Sequence, residues 1–235
     1  MNAESAEVNH EHANVTGGWL RPAVFGAMDG LVSNFALIAG VAGGGASRQV
    51  IILAGLAGLS AGAFSMAAGE YTSVASQAEN AEAEIAKERA ELESNPAAEL
   101  AELAAMYVER GVDPDLAHEV ARQIHRDPEN AVTVHAREEL GVTLEDLPSP
   151  MLAAVSSFLA FAVGAIIPVV PYLLGADALL PVVIVSLLGL FACGAMVTRI
   201  TSRPWWYGGL RQLGLGALAA ALTYAIGNLV GAGLG

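Results

Sequence analysis

The 235-residue chain is 54% hydrophobic and 15% charged, with a mean hydropathy of +0.50, too apolar for a soluble domain and pointing to a polytopic membrane protein. The formal net charge of −13 argues against nucleic-acid binding, which needs a basic surface. The single Cys193 excludes a disulfide within one chain.

Residues 1–19 read as a polar, disordered tail. They lack the basic and apolar regions of a signal peptide, and His10-Glu11-His12 is read as solvated tail rather than as a metal site. Leu20–Gly44 is the first candidate membrane span. It carries Asp29 and Asn34 inside its apolar run. Val50–Ser76 is the second, and neither Pro nor Gly lies between Gly69 and Asn95. The helix is therefore expected to continue to Ser94, about 68 Å at roughly 1.5 Å per residue, against a bilayer core of about 30 Å. Its first half belongs in lipid. Its second half carries glutamates into water.

Residues 77–150 form an acidic insert with 18 acids and 6 bases, which accounts for −12 of the net charge. Asn95-Pro96 breaks the long helix, and a second insert helix spans Ala97 to Arg110, ended by Gly111. Asp113-Pro114-Asp115 and Asp127-Pro128-Glu129 each place an N-cap aspartate before a proline at the first helical position. They predict a third and a fourth insert helix, the last ending at Gly141. Met151–Leu174, Ala178–Thr198 and Tyr207–Leu234 complete five spans. Pro168 and Pro171 kink the third, which is tolerable where neighbours satisfy the freed carbonyls. Trp205, Trp206 and Tyr207 form an interfacial aromatic group. The fold class is thus an all-α membrane protein with a helical insert (77–150) between spans two and three (20–76 before it, 151–235 after it).

With the N-terminus in the cytoplasm, Arg21, the six bases of the insert, Arg199, Arg203 and Arg211 fall inside, and only Arg48 falls outside. This positive-inside bias makes the insert cytoplasmic and puts the C-terminus on the opposite side. Glycines four apart, at Gly26/Gly30, Gly40/Gly44, Gly58/Gly62 and Gly227/Gly231, would let helices approach closely.

Glu88 and Glu91 are three apart on one helix, as are Glu99 and Glu102 on the next. The Asn95-Pro96 break makes a hairpin that can bring the two pairs together into an oxygen-rich site for a divalent cation. His135 and Glu139, four apart on the last insert helix, can add nitrogen and oxygen and favour a transition metal. The competing reading is a solvated acidic surface. Asp29, about 15 Å into its span, is costly there and marks an ion or proton path. Met66 is either a soft ligand or packing. Glu70, one turn later, is either an inner gate or an interfacial residue. In the insert, the residues three before His118, His125 and His135 are Asp115, Arg122 and Val132, so it lacks the Glu-x-x-His pairs of a di-iron bundle. No phosphate loop and no nucleophile elbow on a strand-to-helix turn is visible either, so nothing in the chain reads as an enzyme.

Arg21-Pro-Ala-Val-Phe-Gly-Ala-Met-Asp-Gly-Leu-Val-Ser-Asn-Phe-Ala, Gly58-Leu-Ser-Ala-Gly-Ala-Phe-Ser-Met-Ala-Ala-Gly-Glu-Tyr and the closing Gly209-Leu-Arg-Gln-Leu through Thr223-Tyr-Ala-Ile-Gly resemble the vacuolar iron transporter family (VIT/CCC1). The resemblance covers all five spans and the insert. It implies a homodimer that exports Fe²⁺, and often Mn²⁺ or related ions such as Co²⁺ and Zn²⁺, from the cytosol in exchange for protons. No permanently bound cofactor is implied. The family's membrane aspartate and methionine fall on Asp29 and Met66. Its insert glutamates fall on Glu88, Glu91, Glu99, Glu102 and Glu139. His135-Ala136 stands where plant-type members carry two methionines, which changes the expected metal preference. The polar residues that some relatives place in the outer half of the path are replaced by Gly58 and Gly62. The alanine- and glycine-rich, compact chain points to a bacterial inner membrane. The rival readings are a membrane-anchored metal sensor or buffer, for which a buried acid at Asp29 has no use, and an exporter primarily for Mn²⁺ or Co²⁺.

Overall fold

The computed structural model describes residues 18–141, 149–201 and 203–234. The N-terminal tail with His10-Glu11-His12, and the Leu147-Pro148 lead into the third span, lie outside them. Among the described residues all regular structure is helical: α1 Leu20–Gly43, α2 Arg48–Ser94, α3 Pro96–Glu109, α4 Pro114–Ile124, α5 Pro128–Glu139, α6 Pro150–Ile166, α7 Val170–Leu173, α8 Leu180–Thr201 and α9 Trp205–Leu234. Two compact units form. One takes the chain up to Ala67 and from Val155; the other is Ala68–Ala154.

In the first unit, α1, α2, α8 and α9 are long and apolar enough to cross a membrane, while α6 is a shorter apolar helix. The third predicted span is thus two pieces, α6 and α7, separated around Pro168. The break has a physical account. Pro168 has no N–H, and the chain tightens so that Ile167 N donates to Gly164 O and Val169 N to Ile166 O. Ala165 O thereby loses its ordinary helical donor. Asn34, 2% exposed, replaces it: Nδ2 donates to Ala165 O at 2.6 Å and to Gly55 O at 3.1 Å. One amide ties α1 to both α2 and α6. The polar residue that interrupts the first apolar run is therefore a clamp, and in an apolar surround such a group needs partners.

Small residues set the remaining distances. A Cβ on Gly26 would meet Ser157 O at 2.7 Å, and one on Gly30 would run into the backbone of Phe161. Gly227 lies against Gly40, and a Cβ on Gly231 would meet Gly44 O at 2.7 Å. Thr223 Oγ1 donates to Ala36 O at 2.7 Å across the same α1–α9 seam. Gly26/Gly30, Gly40/Gly44 and Gly227/Gly231 are thus backbone contacts, whereas Gly58 and Gly62 make room for side chains, Leu37 and Asn34 at the first and Phe161 at the second. Leu31, Phe35, Ile38, Val169, Tyr172, Val182 and Leu190 fill the core between these helices. Arg48 at the start of α2 donates from Nε to Tyr172 O at 2.9 Å, closing the end of α7.

In the second unit, the end of α2 packs with α5 through Ile85, Val132 and Ala136. Leu103 and Ala104 of α3 pack with Ala121 of α4. Both predicted Asp-Pro starts are present. Asp113 Oδ1 accepts from Asp115 N at 3.0 Å, and Asp127 Oδ1 from Glu129 N at 3.1 Å. These caps fix where α4 and α5 begin and hence which residues of α5 face inward.

Candidate metal centre

Four residues of the second unit converge. Glu88 comes from α2, Glu99 from the first turn of α3, and His135 and Glu139 from successive turns of α5. One ligand atom from each lies within 4.8 Å of all the others. Ligands on opposite sides of a first-row ion sit about 4 Å apart, so little contraction would close the site. His135 is fully buried, and Glu88 and Glu99 are 5% and 8% exposed. Glu139 is the more open side of the group.

The hydrogen bonding is incomplete in a way that defines the chemistry. Nδ1 of His135 lies 2.8 Å from Glu139 Oε1, 3.0 Å from Glu88 Oε1 and 3.9 Å from Glu99 Oε2. One ring nitrogen has one proton at most, so Nδ1 cannot donate to both Glu139 and Glu88. Glu88 Oε1 is left buried with no hydrogen-bond donor. Three carboxylates around one imidazole exceed what the protein itself neutralises. Burial pushes the Glu88 carboxyl up to about 7, and the Glu139, Glu99 and Glu91 charges add to this against the opposing pull of His135. Burial also raises Glu99, with Glu102 the next cause. A divalent cation would remove this penalty by supplying the missing positive charge.

The cations of the insert are elsewhere. Arg89 forks onto Glu129, with Nη2–Oε2 at 2.9 Å, and Arg110 pairs with Glu138. Arg122 pairs with Glu119 at 2.6 Å, and Lys87 approaches Glu91 at 3.9 Å. Among the described residues no Arg or Lys forms an ion pair with Glu88, Glu99 or Glu139. Of the four insert glutamates expected to meet across the α2–α3 turn, Glu88 and Glu99 do so. Glu91 and Glu102 are exposed and stand outside the four-residue group, although their charges reach Glu88 and Glu99. His135 and Glu139 occupy the other two corners.

A neighbour absent from the expected set is His125, at the C-cap of α4. Its Nε2 lies 3.0 Å from Nε2 of His135. Burial, and then the His135 ring beside it, push His125 below the usual imidazole range. The only available signal was a second histidine one short turn before α5.

In the first unit, Asp29 is exposed on α1 although its helix is apolar. Met66 is partly buried and packs against the cluster of Ala63, Phe161 and Ala165. Glu70, in the second unit, is half-buried.

A family model described as the VIT family matches residues 20–228, nearly the whole chain. The chain belongs to the VIT family. Among the relatives that this member of the family matches is the protein called vacuolar iron transporter of Acanthamoeba castellanii, 42% identical over 94% of the chain and 82% of the relative. Vacuolar iron transporter 1 of Arabidopsis thaliana is 29% identical over 94% of the chain and 90% of the relative. The rice protein called vacuolar iron transporter homolog 1 is 33% identical over 91% and 74%.

Proposed function

We propose that the protein is a proton-coupled transporter that exports Fe²⁺, and Mn²⁺ with it, from the cytosol. The observation that carries this reading is the Glu88–Glu99–His135–Glu139 group, buried but for Glu139, whose acids pair with no Arg or Lys among the described residues, in a chain that also has several helices apolar enough to span a membrane. The names of the Acanthamoeba and Arabidopsis relatives, both vacuolar iron transporters, support iron as cargo. The mixed oxygen and nitrogen donor set suits a borderline first-row cation better than calcium or magnesium. Zn²⁺ and Co²⁺ fit the same donors.

In this reading five spans cross the membrane, with α6 and α7 together as the third, and the positive-inside bias keeps the insert cytoplasmic. The insert captures ions. Asp29 is exposed on a single copy, and an ionisable group at that depth must face water or protein rather than lipid. A second copy supplies that cover: a homodimer in which Asp29 and Met66 of both chains line the path and Glu70 guards its inner end. Asp29 holds the ion and takes a proton when the ion leaves. The alanine- and glycine-rich composition favours a bacterial inner membrane as host.

Purified protein in proteoliposomes, with an imposed pH gradient, provides the test. Fe²⁺ flux that follows the proton gradient and collapses with an ionophore is expected. Metal binding without any flux would instead make the chain a membrane-anchored buffer.

A further inference from the structure

We infer that His125 is a positioning residue of the ion site: it accepts a hydrogen bond from Nε2–H of His135 and so turns the Nδ1 lone pair of His135 toward Glu88, Glu99 and Glu139. This rests on the proposed metal role of that group.

The geometry is that of a direct imidazole–imidazole hydrogen bond. The Nε2 atoms are 3.0 Å apart, an ordinary hydrogen-bond length. The ring centroids are 5.2 Å apart and the planes differ by 16°. Near-coplanar rings whose centroids are separated by that gap plus a ring radius on each side are end to end, not face to face. An ion held in line between the two Nε2 atoms would need them about 4 Å apart. The contact is therefore a proton bridge rather than a second metal site.

The consequence follows from proton counting. Neutral His135 carries one ring proton. If it sits on Nδ1, it points at Glu139 and His135 cannot bind a cation there. If it sits on Nε2, the Nδ1 lone pair is free and aimed between three carboxylates. That second tautomer leaves a fully buried N–H that needs an acceptor, and His125 Nε2 is the group in reach. The second nitrogen of a metal-bound histidine is ordinarily held this way by a carboxylate or carbonyl, and the tautomer follows from that bond. Here an imidazole takes the place of the carboxylate, and it adds no further negative charge to a group already rich in it. His125 also lines a cavity of about 250 Å³ with Arg89, Glu93 and Glu129.

The test uses the full-length chain in lipid nanodiscs with Zn²⁺ as a diamagnetic probe. His125→Leu removes the acceptor, His125→Gln restores one through its amide oxygen, and Glu88→Gln removes a ligand. His125→Leu should weaken Zn²⁺ binding at the buried group by about 10–100-fold. His125→Gln should recover most of that loss. In Zn²⁺-loaded protein, nitrogen-15 shifts of His135 should show a metal-bound Nδ1 and a protonated Nε2. Unchanged affinity in His125→Leu, equal loss in the Gln variant, or a metal-bound Nε2 on His135 would each overturn the inference. Zn²⁺ affinity that also ignores Glu88→Gln would overturn the ion-site reading itself, whereas sensitivity to Glu88→Gln alone overturns only the role of His125.

Discussion

Replacing Glu88 by Gln should make the metal-free insert more stable and the metal-loaded protein less so. The folded state lifts the Glu88 carboxyl from 4.5 to about 7, chiefly through burial and then through Glu139. A carboxyl raised on folding binds more protons in the native than in the unfolded state, so its contribution erodes stability as pH rises. The sign is fixed by the window. Below about pH 4.5 both states are protonated and Glu88 contributes nothing. The loss grows between pH 4.5 and 7, and above pH 7 it reaches about 3 kcal/mol at roughly 1.4 kcal/mol per pH unit. Gln keeps the size and removes the charge, so Glu88→Gln should recover most of this at pH 8 and nothing at pH 4. Zn²⁺ reverses the order, because wild type gains binding energy that the variant cannot. Hydrogen exchange of α5 amides in the full-length protein, corrected for intrinsic rates, reads the local opening free energy. Slower exchange in Glu88→Gln than in wild type at pH 8 with chelator, and faster with Zn²⁺, is expected. A variant that opens more readily at pH 8 without metal would show that Glu88 is satisfied by its protein neighbours, and the reasoning from charge surplus would fall.

Four other variants have defined outcomes. Asp29→Asn should cut Fe²⁺ flux in proteoliposomes by roughly tenfold or more while leaving Zn²⁺ binding by the insert intact, and Met66→Leu, which preserves volume, should reduce Fe²⁺ flux more than Mn²⁺ flux; normal flux in Asp29→Asn refutes the pathway assignment. Asn34→Leu strips the donor from Ala165 O and Gly55 O and should lower thermal stability in detergent by about 1–2 kcal/mol; an unchanged melting curve would mean that α6 reseals its own break. Gly30→Ala pushes a Cβ into the backbone of Phe161, and a loss of about 1–3 kcal/mol is expected, read in the same melting assay beside Gly69→Ala, which meets nothing nearby.

Legibility in the sequence followed local physics. The uninterrupted α2, the Asn95-Pro96 break and the two Asp-Pro caps were readable because each depends on a few adjacent residues. His135 and Glu139 were readable as a helical i, i+4 pair, and Glu88 and Glu99 as acids near a hairpin. What could not be read was rotation. Residues three apart on a helix differ by about 60° around its axis, enough to bury Glu88 while Glu91 stays in solvent beside Lys87. The same holds for Glu99 and Glu102. Only the packing of Ile85 against Val132 and Ala136 decides which acid faces α5. Asn34 was visible as an oddity in an apolar run, but its partner Ala165 lies 131 residues away and is freed by a proline break whose geometry is tertiary. His125 belongs to the same class, since its contact with His135 depends on how α4 turns into α5.

The placement of positive charge separates an ion site from an acidic surface more firmly than the placement of glutamates does. A surface face that is merely solvated gains by interleaving its bases with its acids, each exposed pair worth a fraction of a kcal/mol. That is what Glu119, Glu129 and Glu138 do with Arg122, Arg89 and Arg110. The buried acids face the larger penalty and would gain most from such a partner. Arg89 follows Glu88 in the chain, yet its guanidinium forks onto Glu129. A chain shaped only for stability would place a guanidinium against Glu88 and Glu99. Leaving them to a single imidazole keeps the pocket costly when empty, a cost that a captured divalent ion would relieve.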